Sequence, residues 1–468
     1  MASGKDILLG RIRSGEGLSF GQQLKLSLML SYPAILAQLS SVMMQYIDAS
    51  MVGHLGPAAG ASIGLVSTCL WLFGGFGMAA TSGFSVQVAH LVGANDFSGA
   101  RSVLRQALVC VLAFSLFLAV VGMGISPFLP HWLGGGDDIT GDATSYFFII
   151  TLFMPAMIMD WTCAAILQAS GNMKVPSILS IGMCLMDVAF NYLFIYKMGM
   201  GVVGAAIGTG LAMLITAALM MYFLLVRSKM LALKGRPGSF KPKEDTIRTA
   251  FKIGAPMGLQ HMMMGGAYIV STVIVAPLGT ISIAAHSLAI TVESLCYMPG
   301  YGIAEAATTL VGQGIGAGQK LLTRSFARMS VGLGIAVMTV MGLLMWIFAP
   351  ELMSIMSPVE EVIALGTEVL RIEAWAEPMF AAAIVCNGVF IGAGDTIIPA
   401  LMSLGSMWAV RLTLAATLAP KYGLKGVWTA MAIELTFRGS IFLARLFKGH
   451  WAEKLRRLRL SERRAKLA

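Results

Sequence analysis

Gln38, Ser41, Gln45 and Asp48 stand at i, i+3, i+7 and i+10. At helical spacing that puts four polar side chains on one face. The stretch carrying them, Tyr32 to Gly56 (YPAILAQLSSVMMQYIDASMVGHLG), is otherwise mostly apolar and long enough to cross a bilayer. A lipid-facing helix would not bear such a stripe. A charge at mid-membrane costs at least ~2.5 kcal/mol, so an intramembrane acid faces protein or a water-filled cavity. The chemistry open to Asp48 is binding of a proton or a small cation, or structural hydrogen bonding. Pro33, fifteen residues before the acid (48 − 33), lacks a backbone donor and allows this helix to bend.

The chain around this stretch has 468 residues, 57% hydrophobic and 12% charged, with mean hydropathy +0.79. A soluble protein of this size would expose too much apolar surface. The composition therefore indicates an all-α polytopic membrane protein, and no run of alternating strands suggests a barrel. Twelve apolar segments lie near 24–52, 62–89, 102–128, 143–168, 175–196, 202–226, 248–277, 285–312, 325–349, 366–391, 397–419 and 426–447. The gap Arg227 to Lys252 holds eight Lys or Arg, and the tail after Phe447 is also basic. With twelve spans these fall on one side, together with Arg101, Arg105, Lys320, Arg324 and Arg328. The opposite side carries Asp137, Asp138, Asp142, Glu351, Glu360 and Glu361. The positive-inside bias places both termini in the cytoplasm of a cell inner (plasma) membrane. The net charge of +10 is thus topological and excludes nucleic acid as the expected partner. The N-terminal stretch has no h-region followed by a cleavage site, so the first span is expected to direct insertion.

One register repeats through the chain. Pro33 and Pro256 are 223 residues apart (256 − 33), and Leu55-Gly56 matches Leu278-Gly279 at the same offset. The shift also takes Arg101 and Arg105 to Arg324 and Arg328, Pro155 to Pro378, Cys163 to Cys386, Gly171 to Gly394 and Pro176 to Pro399. Two six-helix lobes are predicted, 24–226 and 248–447, flanked by a 1–23 segment, a 227–247 linker and a 448–468 tail. Six is even, so both lobes have one orientation. A pseudo-twofold axis along the membrane normal follows, as in parallel-repeat transporters. Pro33 and Pro256 are the matched hinge candidates. Helix-interior glycines suit close packing. Met43-Met44 and Met262-Met263-Met264 suit a cavity that adapts to apolar guests.

MVGHLG, VAHLVGAND and QASGNMKVP in the first half, with VAPLGTISIAAHS, TTLVGQGIGAG and IGAGDTIIP in the second, resemble the MATE (multidrug and toxic compound extrusion) family over nearly the whole length. The resemblance implies a twelve-helix secondary transporter that exports organic cations and drug-like compounds in exchange for H+ or Na+. The NorM-like branch carries acids in helices 7 and 10. Those places are Met264 and near Phe380 here, whereas the helix 1 acid is present, so the sequence resembles the DinF-like branch. That branch implies a cation-coupling set of Asp48, Asp187, Asn191 and Thr209, with Asp and Asn in reversed order on helix 5. Asp187 and Asn191 are i, i+4 and share a face.

Two facing carboxylates would share one proton; an oxygen set of Asp, Asp, Asn and Thr would equally hold Na+. Loading from outside, with bending at Pro33, would reshape the N-lobe and expel the guest. Gln38, Ser41, Met44, Gln45, Asp160 and Met264 are the substrate-cavity candidates. Glu293, Glu373 and Glu377 lie among Arg411, Glu434 and Arg438. Buried ion pairs are the ordinary reading of such a mixture, and a second cation site in the C-lobe is the alternative.

No GxxxxGK[ST] and no nucleophile motif occur. The six cysteines lie in apolar segments without metal spacing. No enzyme activity is expected, and no cofactor or metal beyond the coupling ion. The expected partners are small-molecule drugs or organic cations and the lipid bilayer, with the chain a monomer. Flipping of lipid-linked precursors, export of a natural metabolite and a channel or receptor role are the competing functions.

Overall fold

The computed structural model describes residues 4–449 and 451; most of the basic tail lies outside the described residues. Nine long helices are continuous: span 1 Phe20–Gly53, span 2 Pro57–Gly93, span 3 Phe97–Ile125, span 4 Asp137–Ala169, span 5 Lys174–Lys197, span 6 Gly201–Arg227, span 7 Glu244–Leu278, span 8 Thr280–Gly316 and span 9 Lys320–Met356. Span 10 is two helices, Glu360–Ala374 and Glu377–Gly392, bent by 59°. Pro378 sits in the first turn of the second piece, where a ring without an N–H is tolerated and its crowding of the preceding turn favours a break.

The last helical stretch, Ile397–Lys448, has 52 residues. At 1.5 Å per residue it would be about 78 Å long, far beyond one hydrocarbon core. The backbone leaves helical geometry at Gly423 (φ 60°, ψ −141°), which divides it into span 11 (397–422) and span 12 (424–448). Twelve spans result, most of them extending a few residues past their apolar segments; span 3 stops at Ile125, short of the expected 128. The described residues contain no strand.

The repeat is written in the backbone as well as in the residues. Positive φ occurs at Gly56 (115°) and Gly279 (98°), at Asn95 (58°) and Gly318 (75°), and at Gly171 (90°) and Gly394 (72°). Each pair is 223 apart (279 − 56, 318 − 95, 394 − 171). These are the turns where only glycine or asparagine enters the left-handed region without a large steric cost. Asp96, beside Asn95, caps span 3 by accepting from Gly99 N at 2.8 Å.

The chain forms two compact units, and their limits differ from the lobes expected at the linker. One unit is Leu39–Gly258; the other joins the residues up to Gln38 to those from Leu259 onward. The divisions therefore fall inside spans 1 and 7, shortly after Pro33 and Pro256. The reason is packing. In the first unit the linker and the start of span 7 are bound to the first-half helices. Arg101 Nη1 donates to Met230 O at 2.9 Å, Arg105 Nη2 to Arg236 O at 2.6 Å, and Gln87 Nε2 to Thr246 O at 3.1 Å. Lys243 N donates to Gln106 Oε1 at 2.9 Å. In the second unit the start of span 1 packs on spans 8 and 9, where a Cβ at Gly302 would lie 2.6 Å from Ile35 N.

A helix also precedes span 1, over Gly4–Arg13, within the stretch expected only as a terminal segment. It buries Leu8, Leu9 and Ile12, and Ile12 O accepts from Gln319 Nε2 at 2.7 Å. Each unit has its own apolar core. Val66, Phe84, Leu104, Phe147 and Ile158 belong to the first unit's core. The second unit has one core around Trp428 and Met353 and another around Phe390 and Phe442.

Candidate functional site

Span 1 beyond Gln38 is fastened to span 5 at three levels. Cys184 Sγ donates to Ser40 O at 3.3 Å, Asn191 Nδ2 to Asp48 Oδ1 at 3.0 Å, and Tyr196 Oη to Met51 O at 2.7 Å. The lowest contact follows from a π-helical turn, Tyr192–Lys197, that begins directly after Asn191 and widens the helix there. Such turns recur at functional positions.

The middle contact is the centre of the site. Asn191 Nδ2 also donates to Asp187 Oδ2 at 3.3 Å, so one amide group bridges two carboxylates from two spans. Its two N–H bonds allow this. Thr209 of span 6 faces Asp187 closely enough to interact, and the Tyr146 hydroxyl of span 4 stands near both acids. Asp187 and Asn191 are buried at 0% and 1% exposure. Asp187 Oδ1 and Asn191 Oδ1 nonetheless have no hydrogen-bond partner. Spans 5 and 6 meet here because position 208 is glycine: a Cβ would stand 2.2 Å from Asn191 Oδ1 and 3.0 Å from Asn191 N.

Buried polar atoms are nearly always satisfied. Two orphaned oxygens beside two converging carboxylates form an electron-rich set that a proton or a hard cation would complete. Among the described residues no three His, Cys, Asp or Glu converge as a multidentate metal site, and oxygen donors of mixed type are what this cluster offers.

The structure thus brings Asp48, Asp187 and Asn191 together, with Thr209 beside them. Gln38 lies in the other unit and donates to Glu305 Oε1 of span 8 at 2.6 Å. Gln45 is exposed, and Ser41 and Met44 are half-buried. Asp160 is buried on span 4 with Oδ1 unpartnered. Met264 packs in a small apolar cluster with Ala267, Met407 and Leu412. The substrate-cavity candidates are therefore divided between the units: Gln38 and Met264 in one, Ser41, Met44, Gln45 and Asp160 in the other.

In the second unit Glu434 and Arg438 form a two-bonded ion pair, at 2.8 Å for both contacts. Ser406 donates to the same carboxylate, so this pair is a satisfied structural one. Glu373 and Glu377 differ. They are both fully buried, and none of their four carboxylate oxygens has a hydrogen-bond partner. Glu373 lies in the last turn of the first piece of span 10 and Glu377 begins the second, across the 59° bend. Glu293 is buried on span 8.

Sequence reasoning missed Glu305, Tyr146 and Cys184. Glu305 stood in view as an intramembrane acid in GIAEAATTL. Nothing in the local pattern of Tyr146 or Cys184 marks them, since both reach the site through packing between spans.

The sequence profile of the MatE family matches residues 33–193 and 256–417. The chain belongs to the MatE family. The two matches begin on Pro33 and Pro256, at the offset of the repeat, so each half is one family unit. MATE proteins are membrane transporters, and the twelve-span fold is theirs. A Thermotoga maritima protein named "Probable multidrug resistance protein NorM" is 24% identical over 435 residues, covering 91% of this chain and 92% of its own length. A Pseudomonas aeruginosa protein of the same name is 28% identical over 429 residues, covering 88% and 86%. Among solved structures, that of a MATE in complex with MaL6 superposes with a TM-score of 0.88 over 97% of this MATE chain and 100% of the other, at 19% identity.

Proposed function

We propose that this protein exports lipophilic or organic-cation compounds, driven by counterflow of H+ or Na+ through alternating access. The observation that carries this reading is the bridge from Asn191 to Asp48 and Asp187, with unpartnered oxygens at its centre. The multidrug-resistance names of relatives spanning most of the chain support the substrate class. In this reading Asp48, Asp187, Asn191 and Thr209 bind the coupling ion. The set follows the DinF-like pattern, although the curated relatives carry the NorM name. Both termini are cytoplasmic in this reading, which the basic linker supports.

The cycle turns on charge. Two carboxylates held by one amide repel each other when both are ionised, and a proton or Na+ between them relieves that repulsion. Span 1 carries one of the pair, so loading the site changes what holds span 1 to span 5. Pro33 and Pro256 lie just before the points where the two units divide, which supports their role as hinges. An ion shifts the protein between states only as far as it binds one of them better, and this site supplies that difference. The test is dye efflux from everted vesicles under separate proton and sodium gradients. Efflux driven by one of them, and lost on Asp48→Asn, is expected; efflux indifferent to both gradients contradicts the reading.

A second ion site is favoured by one specific observation, the fully buried and unpartnered carboxylates of Glu373 and Glu377. With Glu293 they would bind a second proton or cation in the other unit. Fewer ions taken up per guest exported in Glu373→Gln, with Asp48 intact, supports this; no effect of Glu373→Gln opposes it.

A further inference from the structure

The repeat places arginines at matched positions of spans 3 and 9, Arg101 with Arg324 and Arg105 with Arg328. In the first unit both are satisfied by linker carbonyls, Met230 O and Arg236 O. In the second unit no linker is present. Arg324 Nε is buried without a hydrogen-bond partner, and the Arg328 guanidinium lies over the Phe447 ring, 5.7 Å from its centroid.

These two arginines border two spaces at once. One is a cavity of about 60 Å³ lined also by Lys448, Gly449 and buried Trp451. The other is an open, mostly apolar groove of about 750 Å³ between the start of span 1 and span 9, formed by Phe20, Leu24, Leu321, Met329, Leu333 and neighbours. Along span 9 the groove runs from Leu321 to Ala336, fifteen residues (336 − 321). That is about 22 Å of helix, more than half of a hydrocarbon core of about 30 Å. A cationic head beside an apolar trough that reaches into the membrane matches an amphiphile with a phosphate at one end.

We propose that Arg324 and Arg328, with the groove below them, form a binding site for an anionic glycerophospholipid of the cytoplasmic leaflet. The phosphate accepts from the two guanidinium groups and one acyl chain lies along span 9. Arginine suits this role because its planar fork donates to two phosphate oxygens together. Basic pockets between spans on the cytoplasmic side are the sites where anionic lipid heads are held. The glycine at 449 keeps the head position open: a Cβ there would stand 3.2 Å from Arg324 Nη2.

The test uses the full chain, delipidated in detergent and titrated with phosphatidylglycerol, phosphatidylcholine or inorganic phosphate, with bound lipid read by native mass spectrometry. The expected result is a preference for phosphatidylglycerol over phosphatidylcholine of roughly tenfold, abolished in the Arg324→Gln/Arg328→Gln double variant. Gly332→Trp, at an open position on the groove wall, keeps both arginines and is expected to weaken phosphatidylglycerol binding by blocking the chain. It decides the matter if the double variant fails to fold. Equal retention of the two lipids by the native protein overturns the proposal. So does unchanged phosphatidylglycerol binding in Gly332→Trp, or inorganic phosphate displacing the lipid at equal concentration, which would mark a free-anion site.

Discussion

Asn191 of span 5 donates to Asp48 of span 1 at 3.0 Å through the same nitrogen that reaches Asp187 at 3.3 Å. The amide supplies both hydrogen bonds of the bridge. Replacing it with Ala removes the donor that the two carboxylates share. A hydrogen bond to a charged group contributes about 1.5–3 kcal/mol. Asn191→Ala is therefore expected to slow gradient-driven efflux by at least roughly tenfold, and efflux rates in reconstituted vesicles measure it. A rate equal to the native one shows that the bridge is not part of coupling.

Gly208 makes the approach of span 6 to Asn191 feasible. A methyl group there would overlap Asn191 Oδ1, at 2.2 Å. Gly208→Ala is expected to cost about 1–3 kcal/mol through overpacking, seen as a lower melting temperature in detergent, and to lower transport by displacing Asn191. An unchanged melting temperature contradicts the tight contact between the spans.

Arg438 and Glu434 are the satisfied ion pair of the second unit. Removing one partner of a buried pair costs about 3–5 kcal/mol because the other charge remains buried. Arg438→Leu is expected to reduce expression of folded protein strongly, whereas Arg438→Leu with Glu434→Leu recovers most of it. Fluorescence-detected size exclusion follows both variants.

Arg105 holds the linker by donating to Arg236 O, and its guanidinium occupies the space a side chain at Gly238 would need. Arg105→Gln is expected to loosen residues 228–243 and raise the rate of limited trypsin cleavage there by roughly tenfold, the equivalent of one charge-assisted hydrogen bond. Cleavage at the native rate means the linker is held by other contacts.

The span count and the repeat were legible because both are carried by many residues: long apolar runs, and a shared 223-residue register that the positive-φ turns at Gly56 and Gly279 repeat. Asp48 was legible as a lone acid on an apolar helix. Asp187, Asn191 and Thr209 entered through family resemblance, and their convergence depends on how spans 1, 5 and 6 pack. The fate of Gln38 was not legible. It shares the helix face of Asp48, yet its partner Glu305 is 267 residues away, and helical spacing carries no information about a contact at that distance. The unit limits were hidden for the same reason. A basic linker looks like a boundary, but its backbone is bound by Arg101 and Arg105. The break in span 10 is a local effect of Pro378, visible in sequence only as a proline that its repeat mate Pro155 does not match in consequence: span 4 runs through Pro155 as one helix.

The most direct measurement is dye transport by the purified protein in liposomes with a pH gradient or a sodium gradient imposed separately, for the native chain and for Asp48→Asn at equal folded amounts. Ion coupling through Asp48 predicts transport driven by one of the gradients in the native protein and its collapse to the protein-free background in Asp48→Asn. Asp48→Asn transporting at the native rate under the same gradient would contradict it.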